Sequence, residues 1–206
     1  MLNIPAEQKN KEILENRVYD LMDHFDRFSD VMFRQQRSIY TNIAKSLCGI
    51  NWSILEAGCG CGMGTAIIKE SYPNRKVTGT DKVGRNVAMA RCLYPWIPFG
   101  VWDLNKSWHS EPHDVVVCVE AIEHVADVNL AAKHLQDAAL IEVWFSTPNG
   151  TGKPRPPENP YHVCEYTPHE ILDLFPGAKL FDWETWEPVD VSTTTSPVVY
   201  QWKKPQ

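Results

Sequence analysis

The stretch ILEAGCGCGMGTA, Ile54 to Ala66, constrains this chain more than any other. A short apolar run, WSILEAG, enters a turn with glycines at 58, 60, 62 and 64, and a helical pattern, MGTAIIKESY, follows. A strand that runs into a glycine turn and then a helix lets the backbone approach a ligand closely, because glycine has no Cβ in the way. The spacing argues against two common solutions. The dinucleotide fingerprint needs G-x-G-x-x-G, which no triplet here fits, and a phosphate loop needs a Gly-Lys-Ser/Thr that does not follow. Zinc is disfavoured as well: Cys59-x-Cys61 is one close pair with no second, and such sites are built from two.

The rest of the chain repeats the strand–helix alternation. RKVTGTD reads as a second strand, GRNVAMARCLY as a helix, PFGVWDL as a short third strand, HDVVVCVE as an apolar fourth, DVNLAAKHLQDA as a helix and LIEVWFSTPN as a fifth strand. That order predicts a parallel sheet covered on both faces. TPHEILDLF reads as a helix capped by Thr167, with Pro168 first and Glu170 third. The C-terminal stretch reads as a two-stranded hairpin with a long tip. Trp183, Trp186 and Trp202 are assigned to its strands, where aromatics are favoured. Before the glycine turn, a polar arm over residues 1 to about 15 leads into a helical stretch from Asn16 to Leu47. The expected fold is therefore α/β: a three-layer, Rossmann-like sandwich whose seven-stranded, mostly parallel sheet ends in an antiparallel hairpin. Residues 1–50 form the arm and helical cover, and residues 51–206 one globular unit.

The formal charge of −6 argues against broad nucleic-acid binding, which relies on basic surface. No apolar run is long enough to span a membrane. The N-terminus has no apolar core of the kind a secretion signal needs. Six scattered cysteines without such a signal fit reduced thiols in the cytoplasm.

The motifs resemble those of the class I S-adenosylmethionine-dependent methyltransferases. EAGCGCG (Glu56 to Gly62) resembles that family's first motif, VTGTD (Val77 to Asp81) the second, WDL (Trp102 to Leu104) the adenine-side motif, and DVVVCVEAIEHV the fourth. FSTPN matches the strand-five ending of one branch. LQDAAL stands where the family usually has a Pro-Gly-Gly turn. The resemblance implies S-adenosylmethionine as cofactor, held by Glu56, Gly58, Cys59, Gly60, Gly62, Asp81, Lys82, Trp102, Asp103, Leu104 and Glu120. Asp81 would bond the ribose hydroxyls, Asp103 the adenine amine, and Trp102 would border the adenine. Cys59 and Cys61 would serve through their backbone, without a catalytic role.

For the chemistry, the resemblance points to EAIEH and to a later histidine. Glu123, His124 and His162 are the candidate catalytic residues, with either histidine as base or positioning group. In two branches of the family a similar Glu-x-x-Glu-His binds a divalent metal, which would make Glu120, Glu123, His124 and His162 ligands for Mg, Mn or Zn. His24, His109, His113, His134 and His169 are assigned to surface or capping roles. The expected acceptor is a hydroxyl or amine of a small or sugar-like molecule. Two alternatives stand beside it. A nucleic-acid methyltransferase would need a basic cleft of Arg17, Arg34, Arg37, Lys153 and Arg155. A non-catalytic partner subunit would bind the cofactor without turnover.

Overall fold

The computed structural model describes residues 31–205, apart from 50, 109, 160, 193 and 195. The polar arm, the first half of the helical cover with Arg17, and His24 and His109 lie outside the described residues. The elements run α1 (Val31–Ser46), β1 (Ile54–Ala57), α2 (Met63–Ser71), β2 (Val77–Asp81), α3 (Gly84–Leu93), β3 (Phe99–Val101), β4 (His113–Val119), a 3-10 turn (Ile122–His124), α4 (Val128–Ala138), β5 (Ala139–Thr147), α5 (Pro168–Leu174), β6 (Lys179–Asp182) and β7 (Val198–Lys203). One seven-stranded sheet has the order β3-β2-β1-β4-β5-β7-β6. Strands β1 to β5 pair in parallel, and β7 runs antiparallel to both β5 and β6. The expected architecture is present.

The apolar run of β4 shows why the sheet needs two covers. Val115, Val117 and Val119 pack with Ile39 and Ile43 of α1 and with Leu47 just after it, while Val116 and Cys118 pack with Leu135 of α4 and Ile171 of α5. Alternate side chains of a strand point to opposite faces, so a strand buried on both sides must be apolar at every position. Ile39 and Ile43 are fully buried, and each contributes about 1.5–3 kcal/mol of transfer free energy. Helix α1 is therefore held by packing. Helix α5 begins with the expected capping box: the Thr167 hydroxyl accepts from the Glu170 N–H, and the Glu170 carboxylate accepts from the Thr167 N–H.

Four residues lie elsewhere than expected. Trp202 lies on β7, but Trp183 and Trp186 fall in the connection after β6. Trp186 has φ +61° and stacks on Trp144 and Phe181. His113 and His134 are buried, at 3% and 6% exposure, rather than at the surface. His113 starts β4, whose first residue is covered on both sides. His134 turns inward to meet the carbonyl of Leu104 at 2.8 Å.

The strand order places a crevice. The chain steps outward from β1 to β3, then crosses back to β4 on the other side of β1. Loops leaving β1 and β4 therefore diverge, and ligands bind in open α/β sheets at such a switch point, outside the carboxyl ends of the strands.

Candidate active site

The glycine turn forms one wall of that crevice. Gly58 has φ +78°, and a Cβ on it would lie 2.5 Å from the Ala121 Cβ in the loop after β4. Glycine is required there because two loops nearly touch. The Gly58 and Cys59 amides both donate to the Thr80 carbonyl at 2.8 Å, which docks the turn on β2.

Glu56 lies behind the turn. It is fully buried, and its carboxylate accepts hydrogen bonds from the hydroxyls of Tyr40 on α1 and Thr65 on α2. Gly64 makes room for this clasp: a Cβ on it would lie 2.1 Å from the Tyr40 ring and 2.5 Å from Glu56 Oε1. Burial pushes the Glu56 carboxyl up to about 7, against the lowering effect of its two hydroxyl donors. With no exposed surface and both oxygens engaged, Glu56 braces the turn and does not face the crevice. That corrects its assignment as a direct cofactor contact.

Asp81 ends β2 at the crevice. One oxygen accepts from the Gly60 N–H at 2.9 Å; the other accepts from the Val83 N–H at 2.8 Å and the Asn86 amide at 3.2 Å. Burial raises its pKa, opposed by those three donors. A carboxylate offers about four acceptor positions. Three of them are taken, so Asp81 ties the glycine turn to β2 and keeps one acceptor position. Lys82 beside it is exposed.

Beyond β3, the motif WDL splits by side. Trp102 and Leu104 are core residues, at 6% and 5% exposure, and the Trp102 ring packs on Trp108 with centroids 4.8 Å apart. The Trp102 indole N–H donates to the Lys106 carbonyl. These two side chains belong to the core, so what Trp102 and Leu104 expose toward the end of β3 is backbone. Asp103 between them is half-exposed and accepts from the Asn105 N–H at 3.0 Å. His134, bonded to Leu104, anchors this segment to α4.

The cysteines of the turn are inert. Burial drives the Cys59 thiol far up and Cys61 to about 11, so neither is a thiolate nucleophile at neutral pH.

The opposite wall follows β4. Glu120 has φ +50°, a conformation rare outside glycine. Such strain collects where a side chain is aimed for function. Its carboxylate accepts from the Ser146 hydroxyl at 2.7 Å, and its backbone N–H donates to the Ser146 carbonyl at 3.1 Å. Burial raises its pKa, against the Ser146 bond and the Lys153 charge.

Glu123 and His124 occupy the 3-10 turn. Glu123 is 1% exposed. Thr147 donates to one of its oxygens at 3.3 Å, and the other lies 3.7 Å from His124 Nε2. A residue so buried acts through its neighbour rather than on a substrate, which corrects its catalytic assignment. His124 Nδ1 lies 2.7 Å from the Tyr161 carbonyl oxygen. A carbonyl only accepts, so in the neutral ring Nδ1 carries the proton and Nε2 the lone pair.

His162 reaches this place by backbone strapping. The Glu123 carbonyl accepts from the Val163 N–H at 2.8 Å and the Cys164 N–H at 3.4 Å. The two imidazoles then meet edge to face, with ring centroids 5.0 Å apart. His162 Nδ1 is 2.7 Å from Glu165 Oε1, and its Nε2 is 3.0 Å from the Asn159 amide nitrogen. Glu165 Oε2 is 2.7 Å from Lys153 Nζ. Sequence reasoning missed Glu165, Asn159, Tyr161 and Ser146. A glutamate three residues after a histidine carries no signal until the loop is folded.

One donor atom each from Glu123, His124 and His162 lies within 4.8 Å of the others. Glu120, expected as a fourth ligand, is not part of this cluster; its carboxylate accepts from Ser146. Two imidazoles whose Nδ1 atoms are engaged by a carbonyl and a carboxylate have the outer support that metal-binding histidines use. The residue types are ones a divalent ion takes, but an ion at His162 Nε2 would have to displace the Asn159 amide that sits 3.0 Å from it. The basic cleft fares differently. Lys153 pairs with Glu165, and Arg155 is bound at two points by Glu170. Arg34 and Arg37 are exposed on α1.

Residues 54–139 match the family model described as a methyltransferase domain. A segment of 113 residues is 34% identical to the ubiquinone biosynthesis O-methyltransferase of Sodalis glossinidius (strain morsitans), covering 49% of this chain and 43% of that protein. The chain thus spans less than half the length of that curated relative. Among solved structures, a TehB-like S-adenosylmethionine-dependent methyltransferase from Corynebacterium glutamicum aligns with TM-score 0.70 at 14% identity, over 93% of this chain and 100% of that one. Magnesium protoporphyrin IX methyltransferase from Synechocystis PCC 6803 with bound S-adenosylhomocysteine aligns with TM-score 0.69 at 13% identity, over 95% and 100%. At those identities the likeness is one of fold.

Proposed function

With a methyltransferase domain over residues 54–139 as the premise, we propose that this chain transfers a methyl group from S-adenosylmethionine to a hydroxyl or amine of a small or sugar-like acceptor. The observation that carries the reading is the meeting of His124 and His162, with ring centroids 5.0 Å apart, beside the turn that follows β4. The cofactor, when bound, supplies a methyl activated by a sulfonium. The protein's part is alignment and proton removal. Asp81 accepts a ribose hydroxyl, Asp103 receives the adenine amine, and the turn from Gly58 to Gly62 presents its backbone. Glu120 faces the methyl side. His124 takes the acceptor's proton at Nε2, because Tyr161 holds the other nitrogen protonated. The buried Glu123 carboxylate stabilises the imidazolium that results. Such a base contributes about 10²–10⁴-fold to rate.

The three-donor cluster supports a second reading. Glu123, His124 and His162 would hold Mg, Mn or Zn, and that ion would supply Lewis acidity toward the acceptor oxygen. Neutralisation of Lys153 and Arg155 weighs against a nucleic-acid acceptor.

The test is transfer of radiolabelled methyl into small-molecule, protein and nucleic-acid fractions of a host extract, with and without EDTA. Label in the small-molecule fraction that survives EDTA is expected. Loss with EDTA and recovery with one divalent ion favours the metal reading. Label only in nucleic acid overturns the acceptor class. A protein that binds S-adenosylhomocysteine but labels nothing is a cofactor-binding subunit.

A further inference from the structure

The hydrogen bonds around His162 determine where its proton sits. Asn159 Oδ1 accepts from the Tyr161 N–H at 3.0 Å, so the amide's NH2 end is the one that faces His162 Nε2. An NH2 group only donates, so Nε2 is an acceptor and the proton of the neutral ring is on Nδ1. That proton points at Glu165 Oε1, 2.7 Å away. Glu165 is 7% exposed, and a carboxylate so buried needs a counter-charge. Lys153, from the loop after β5, supplies it at 2.7 Å. The series Lys153–Glu165–His162 ends on the edge of the His124 ring.

We infer that Glu165 is a positioning residue of this site: it holds His162 as the Nδ1–H tautomer and so fixes the ring that braces His124. The inference rests on the methyl-transfer reading for its consequence, but not for its geometry. A glutamate that only anchored its loop through Lys153 would leave the imidazole indifferent to its loss. A charge-assisted bond to Nδ1–H is stronger than the neutral amide bond at Nε2, so removing the carboxylate releases the tautomer.

Long-range 15N–1H spectra of the histidine rings test this on the full chain, with neither cofactor nor acceptor, at a pH where the ring is neutral. Wild type is expected to show His162 as Nδ1–H, and His162→Gln assigns the signal. Glu165→Leu is expected to give a mixture of tautomers. Glu165→Gln, which keeps an acceptor oxygen, restores the wild-type pattern. In turnover, Glu165→Leu lowers kcat about 10- to 100-fold, with S-adenosylhomocysteine affinity unchanged and Glu165→Gln recovering most of the loss. An Nε2–H signal in wild type overturns the inference, as does a Glu165→Leu protein that keeps the wild-type tautomer. Failure of methyl transfer leaves the spectra standing, so the two readings fail separately.

Discussion

Glu56 and Asp81, on one side of the crevice, take their hydrogen bonds from residues 2 to 21 positions away in sequence. His124, on the other side, donates its own to a carbonyl 37 positions away. The first side is built from strand ends, a glycine turn, the helices that follow and Tyr40 of α1, so its geometry is set by elements that neighbour one another in sequence. The second is built by folding an irregular, proline-rich loop back over the turn after β4. The wall at the glycine turn is thus a property of the fold. The wall after β4 is a property of one loop and its strapping, in keeping with loops that carry function on a rigid scaffold.

His124→Gln breaks that division hardest if it is right. Turnover should fall about 10²–10⁴-fold, while calorimetric affinity for S-adenosylhomocysteine stays at the wild-type value. Loss of cofactor affinity in this variant would show that the two walls are one cooperative unit.

Glu56 sharpens the other side through pH. Its carboxyl titrates near 7 in the folded protein against 4.5 for the free group, because it is buried. The folded state keeps a proton that the unfolded chain releases between those values. Its contribution is therefore fully present below pH 4.5 and is lost as the pH rises through 7, a change of about 3 kcal/mol. Chemical denaturation at pH 5 and pH 8 should show wild type losing that much stability relative to Glu56→Gln. Equal losses would mean that the clasp by Tyr40 and Thr65 outweighs burial.

Asp81→Ala removes two tasks at once, docking of the Gly60 amide and acceptance of the ribose. S-adenosylhomocysteine should bind about 10- to 100-fold more weakly, with His124 and His162 ring signals unmoved. Unchanged affinity would remove Asp81 from the cofactor site.

The smallest effect belongs to Arg155→Ala. Its ion pair with Glu170 is largely exposed, so melting should report a loss below about 1 kcal/mol. A larger loss would mark the proline-rich loop as a structural element in its own right.

The alternation of apolar runs with amphipathic ones determined the parallel sheet, because β4 can be apolar at every position only when both faces are covered. The glycine spacing located the turn, since a Cβ at Gly58 would collide with Ala121. The positions of Asp81 and Asp103 were legible because Asp81 ends β2 and Asp103 lies just past β3, and strand ends follow from the alternation. Trp102, Leu104 and Glu56 carry the same motif signature yet point inward. The distinction between a residue that faces the ligand and one that braces the wall depends on side-chain direction, which spacing alone does not carry. Glu165, Asn159 and Tyr161 were beyond reach of the sequence, because their roles exist only once the loop of residues 150–166 lies against Glu123. That contact is made by backbone amides at Val163 and Cys164, and any residue but proline offers the same amide. The strap that completes the wall after β4 thus leaves no mark in the sequence, and only the tertiary structure decided it.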